Sequence, residues 1–150
     1  MALLDVFNIA GSGMSAESVR LNTVASNLAN ADSVSGSPTT AYKARYPVFQ
    51  AIQSSLMSAG TGAGAAADPA QAADAAVQVR GIVESTAAGT VSYQPGNPLA
   101  DTNGYVYSSN VNVVEQMADM ISASRSYQNN VQVLETSKSL MLDTLKLGQS

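Results

Sequence analysis

The chain has 150 residues, a formal net charge of −4, only 12% charged residues, and no histidine or cysteine. Those absences exclude Ser-His and Cys-His nucleophiles, His-containing metal clusters and zinc ribbons. The lack of any basic run argues against a nucleic-acid partner. With no Trp and only two Phe, and with the bulky apolar residues gathered at the two ends, a large central core is not expected.

From Phe7 to Ala31, Phe7, Met14, Leu21 and Leu28 recur every seventh residue, with Ala10, Val24 and Ala31 three places after three of them. These rows fit the a and d positions of a coiled coil and predict a helix from about Asp5 to Asn30, bent near Gly11 to Gly13. Each glycine costs about 1 kcal/mol relative to Ala, and Asn22, Asn27 and Asn30 are poor helix formers, so this helix is expected to form only when packed. Glu17 falls on the seam, where a buried charge is expensive. Asn27 and Asn30, beside Ala29 and Ala31, either sit exposed and inert or bond across a tight interface. Gly11-Ser12-Gly13 lacks the preceding strand and following lysine of a phosphate loop. Arg20 is the first basic residue and Asp5 interrupts the early apolar run, so no cleaved secretory signal is expected. No stretch reaches the roughly eighteen apolar residues of a membrane span, so direct membrane insertion is not expected either.

Asp32 to Pro38 is turn chemistry, and Tyr42 to Phe49 alternates apolar and polar residues as a short strand or extended arm, with Pro47 confining it to an edge or an irregular stretch. Met57 to Ala76 holds ten alanines and three glycines with no aromatic or branched aliphatic residue, which predicts a flexible loop. Val77 to Ser85 alternates again, and with Val91 to Tyr93 it predicts a small hairpin. Pro95 to Pro98 and Asp101 to Gly104 supply two sharp turns, after which Tyr105 to Tyr107 adds a short strand. Tyr93, Tyr105 and Tyr107 fit a small core or a wet interface better than a glycan site.

The second helical stripe runs from Val113 to Leu147. Met117, Val131 and Leu145 form one row and Val113, Met120, Tyr127, Leu134 and Met141 the other, with Ile121 beside them; Ser124 and Lys138 interrupt the stripe. Asn112 is the expected N-cap, with Glu115 at the third helical position, Lys146 near the end and Gly148 beyond it. A helix of that length spans about 50 Å, whereas a compact chain of this size has a radius of gyration near 15 Å. The stripe must therefore be covered, either by the first helix in a hairpin within one chain or by neighbouring subunits. The eleven acids suggest no catalytic pair: Asp68 and Asp74 lie in the alanine-rich loop, and Glu115 and Asp119 suit the positive end of a helix dipole.

The strings LNTVASNLANADS (Leu21 to Ser33) and YKARYPVF (Tyr42 to Phe49) resemble the N-terminal signature of the bacterial flagellar rod, hook and hook-associated family, and Asn110 to Gln149 resembles its terminal helix. Length and the run from Tyr93 to Met117 most resemble the proximal-rod members. The resemblance covers nearly the whole chain except the alanine-rich loop. It implies an α+β protein: terminal helices (1–31 and 111–150) forming the coiled-coil layer of a hollow tube, a turn and extended arm (32–56), the flexible loop (57–76) and a small β-rich domain (77–110). It further implies a non-enzymatic structural subunit without cofactor or metal. Such a subunit leaves by the flagellar type III channel and polymerises across the periplasm with copies of itself and other rod proteins. The membrane-ring and export-gate complex and hook-basal-body junction proteins are further implied partners. On this reading the assembly interface comprises Phe7, Met14, Leu21, Val24, Asn27, Leu28, Asn30, Met117, Met120, Ile121, Tyr127, Val131, Leu134, Met141 and Leu145. A soluble helical adaptor or export chaperone, with both stripes satisfied inside one chain, is the alternative.

Overall fold

The computed structural model describes residues 3–53 and 75–148. Two long helices carry the chain ends: α1, Leu3–Ala29, and α2, Val113–Leu147. The expected α1 boundaries hold within two residues, and the helix runs unbroken through both glycines. Its end tightens, with the Asn30 amide shared between the Ser26 and Asn27 carbonyls and Ala31 N–H donating to Leu28, which satisfies carbonyls a helix terminus would otherwise leave free. Asn112 caps α2, its side-chain oxygen accepting from the amides of Val114 at 3.1 Å and Glu115 at 3.4 Å. Gly148 follows as expected, but with φ −79° it does not use the left-handed conformation that glycine favours.

Between the helices lie five strands: β1, Val34–Ser35; β2, Arg45–Gln53; β3, Ala75–Glu84; β4, Val91–Tyr93; and β5, Tyr105–Ser108. β2 and β3 form an antiparallel ribbon from Arg45 opposite Glu84 to Gln53 opposite Ala75; the register shifts between Val48 and Phe49, so that Arg80 is the extra residue of a bulge. β1, β5 and β4 make a second antiparallel sheet in that order. The architecture is thus α+β. Among the described residues Pro47 sits in a strand with a single partner, the edge position its missing N–H demands.

One expected pairing is corrected. Val77 to Ser85 does not form a hairpin with Val91 to Tyr93; β3 pairs with β2, and β4 with β5. A three-residue strand satisfies few of β3's backbone groups, whereas β2 offers a ladder along its full length, and the ribbon so formed packs on α1. Ala75 and Ala76, expected as the end of the flexible loop, belong to β3; residues 57–74 of that loop lie outside the described residues. The turn before β5 requires its glycine: Gly104 has φ +80° and donates to the Asp101 carbonyl at 2.8 Å.

Candidate assembly surface

Three contacts fix how the helices meet. Asn27 bonds to Gln116, Arg20 bonds to Asp119, and Gly13 faces Asn130, so α2 descends antiparallel to α1. The α2 residues turned inward form two heptad rows. Val113, Met120, Leu134 and Met141 are half-buried, as the sequence pattern anticipates, although Tyr127 is exposed. The second row is Gln116, Ala123, Asn130 and Ser137, with Gln116 1% and Ala123 0% exposed. The row expected there, Met117, Val131 and Leu145, sits one residue further round: Met117 is 50% and Leu145 57% exposed, with Val131 half-buried. Small and amide side chains allow the backbones a close approach that Met and Leu would block, so the bulkier row is left beside the seam.

A polar joint locks the first turn of α2 to the end of α1. Asn27, fully buried, donates from Nδ2 to the Arg45 carbonyl and to Gln116 Oε1, both at 2.8 Å. Its Oδ1 accepts from Arg45 N–H at 2.9 Å and from the Tyr42 hydroxyl at 3.0 Å. Those four bonds use two donors and two acceptor sites, the whole capacity of an amide. Nearby, Asn110 Oδ1 accepts from Ala44 N–H and its Nδ2 donates to the Ala87 carbonyl, both at 2.7 Å. Ser109 donates to Ala31. The joint thus collects the end of α1, the base of the ribbon, the loop before β4 and the segment that leads from β5 into α2. Asn27 makes all four of these bonds within the chain, and Val24 is likewise buried there. Asn30 donates to the Ser26 carbonyl at 2.8 Å and so closes its own helix. The sequence pattern singles out Asn27 but not its partners Tyr42, Arg45 and Gln116, because an amide's partner has no periodicity to betray it.

The remaining interface candidates occupy two environments. Phe7, Met14, Leu21, Leu28, Met120, Leu134 and Met141 are half-buried along the two helices; Met117, Ile121, Tyr127 and Leu145 are exposed on α2. With them, Val114, Val133, Leu140, Leu142 and Leu147 also face solvent, the first and last each 77% exposed. Among the described residues the fully buried apolar side chains are Ala and Val alone. The ribbon adds exposed Tyr46, Phe49, Ile52 and Ile82. Burial first, and then the nearby Glu115 and Asp119 at the start of α2, raise the Tyr46 phenol above its ordinary pKa. Among the described residues no cluster of acidic side chains is placed to hold a metal, and no helix is long and apolar enough to cross a membrane. Among the described residues the arrangement offers an incompletely covered helical surface.

Comparison with known proteins gives that surface a context. Residues 7–36 match the family described as flagella basal body rod protein, and residues 102–147 match the flagellar basal body rod FlgEFG protein C-terminal family. The flagellar basal-body rod protein FlgC of Salmonella typhimurium is 51% identical over 149 residues, covering 99% of this chain and all of the relative. That of Yersinia enterocolitica is 50% identical over the same span. FlgC of Buchnera aphidicola subsp. Schizaphis graminum is 39% identical over 153 aligned residues.

Proposed function

The chain belongs to the flagellar basal-body rod protein family, and from that premise we propose that it builds the proximal part of the rod by packing its terminal helices against neighbouring copies and other rod proteins. The observation that carries this reading is the exposed apolar face of α2, formed by Val114, Met117, Ile121, Leu142 and Leu145. Burying such side chains contributes roughly 1.5–3 kcal/mol each when fully covered, and helices packed around an axis supply the cover. Stacked lengthwise, these helices form the wall of a hollow shaft through which exported subunits pass and along which torque is carried. The low charge of the chain keeps desolvation costs small at every contact.

The chain reaches this position by the flagellar type III route without signal cleavage, and meets the membrane-ring and export-gate complex at one end and junction proteins of the hook-basal body toward the other. An adaptor acting alone would need its stripes covered within one chain, and α2 leaves a broad face uncovered. The test is Ile121→Asp, a change on an exposed position that leaves the fold of the single chain intact. The variant should be expressed and exported normally, yet be lost from purified basal bodies, with swimming abolished. Normal incorporation and swimming would remove the assembly role of this face.

A further inference from the structure

Two charged residues are unexplained by the packing of a single chain. Glu17 lies at a cleft of about 430 Å³ where α1, α2 and the ribbon meet, lined by Ile9, Ala16, Phe49, Val77 and Asn130. Its Oε2 is buried and accepts no hydrogen bond. Arg20 stands 3.9 Å away but donates to Asp119 Oδ1 at 2.8 Å, so one guanidinium serves two carboxylates and one negative charge remains over. A carboxylate in an apolar cleft is costly until a cation and hydrogen-bond donors join it.

Lys138 presents the complementary problem on α2. It is exposed and makes no ion pair or hydrogen bond among the described residues, even with Glu135 one turn away. Its other neighbours at helical spacing are Leu134, Met141 and Leu142, with Val131 and Leu145 one heptad to either side. Of the exposed cations on α2, Arg125 has Ile121, Ser122, Gln128 and Asn129 at the same spacings, one apolar neighbour against the three of Lys138. A lysine ringed by Leu and Met fits an apolar cleft containing an acid, since its methylene stem packs while the ammonium reaches the carboxylate. The two cannot meet within one chain. Glu17 shares its cleft with Ser126, and the twelve residues from there to Lys138 span about 18 Å of helix.

We propose that the cleft of one chain receives Lys138 of a second copy, with Leu142 and Leu145 of that copy seated against Ile9, Phe49 and Val77. The proposal rests on the rod reading above and gives that assembly one defined contact between copies. The two charged interruptions of the helical stripes then become the two halves of a single pair, which sets which copy faces which and at what height along the axis.

The test is a charge swap in a strain whose only copy of the chain carries the change, read as the amount incorporated into purified basal bodies. E17K and K138E should each lower incorporation at least about tenfold, the consequence of an unpaired desolvated charge. The double variant should recover to within about twofold of wild type. Because the chain has no cysteine, E17C with K138C supplies a second measurement: a Lys–Glu pair holds its Cα atoms beyond disulfide reach, so a short bifunctional thiol-reactive cross-linker applied to basal bodies should give linked dimers, and neither single variant should. Wild-type incorporation by both reversals, no recovery in the double variant, or no dimer from assembled material each overturns the pairing. Rescue of E17K by a charge change in a different rod protein, and not by K138E, also overturns it. Absence of the wild-type chain from basal bodies would instead defeat the rod reading.

Discussion

The two helices have similar apolar patterns and opposite fates. α1 is enclosed by α2 on one side and by the ribbon on another, and among its described side chains no large apolar residue is exposed. α2 touches α1 through a row of Gln116, Ala123, Asn130 and Ser137 and leaves Met117, Ile121, Val133, Leu140, Leu142 and Leu145 outside. The difference teaches that a heptad stripe does not by itself name its partner. Within one chain the helices meet through small and hydrogen-bonding residues beside the half-buried row of Val113, Met120, Leu134 and Met141, and a large hydrophobic area of α2 stays outside. α1 is the element the chain builds around, and α2 is the element it offers.

The largest expected effect comes from removing the joint that creates this asymmetry. Asn27→Ala strands the Arg45 N–H and carbonyl, the Tyr42 hydroxyl and Gln116 Oε1, each now without its Asn27 partner. Buried groups left unpaired cost about 1–3 kcal/mol each, partly relieved by water, so a loss of about 3 kcal/mol or more is expected in denaturant unfolding of the purified chain. Asn27→Asp should be as damaging, because a carboxylate cannot donate to the Arg45 carbonyl or to Gln116. If either variant unfolds like wild type, the joint is not what holds α2 to α1.

Ala123→Leu attacks the same comparison from the packing side. Ala123 is completely buried, and extra volume in a filled core costs about 1–3 kcal/mol. The matching change on the open face, Ser122→Leu, lies at an exposed neighbouring position and should be tolerated. Equal effects from the two would mean that the inward row is not set apart by size. A smaller loss, about 1 kcal/mol, is expected for Asn112→Ala, which removes the cap accepting from Val114 and Glu115, read as lower helix content by circular dichroism.

How far the sequence carries the structure follows from the kind of signal each part leaves. Periodicity located both helices, and Asn112, Glu115 and Gly148 located the ends of the second, because capping is local chemistry. Tyr42 to Phe49 and Val77 to Ser85 read as extended, but their mutual pairing did not: the intervening alanine-rich stretch hid a long-range ladder, and the nearer Val91 to Tyr93 seemed the natural partner. The inward row of α2 was missed for a related reason. A search for apolar residues selects Met117, Val131 and Leu145, while close helix contact selects Gln116, Ala123 and Ser137, which look like a solvated face. Glu17 and Lys138 stood out as breaks in a pattern, and only the cleft beside Glu17 gives those breaks a shared explanation.

The mildest prediction concerns the glycines of α1 and separates its intrinsic weakness from its packing. Nothing lies within 4 Å of a Cβ added at Gly11, whereas one added at Gly13 would meet Asn130 Nδ2 at 2.8 Å. Gly11→Ala should therefore gain nearly the full helix-propensity difference, about 1 kcal/mol, seen as a higher unfolding midpoint. Gly13→Ala gains the same propensity but must swing the Asn130 amide aside, so its net change should lie within about 0.5 kcal/mol of zero. Combining Gly13→Ala with Asn130→Ala should restore the missing gain, since the obstructing group is gone. If Gly13→Ala alone stabilises as much as Gly11→Ala, the helices are not close at Asn130 and the small-residue row does not set their separation. If Gly11→Ala fails to stabilise, the poor helix propensity of α1 is not what makes it depend on packing, and the cost of ordering this end of the chain lies in its asparagines.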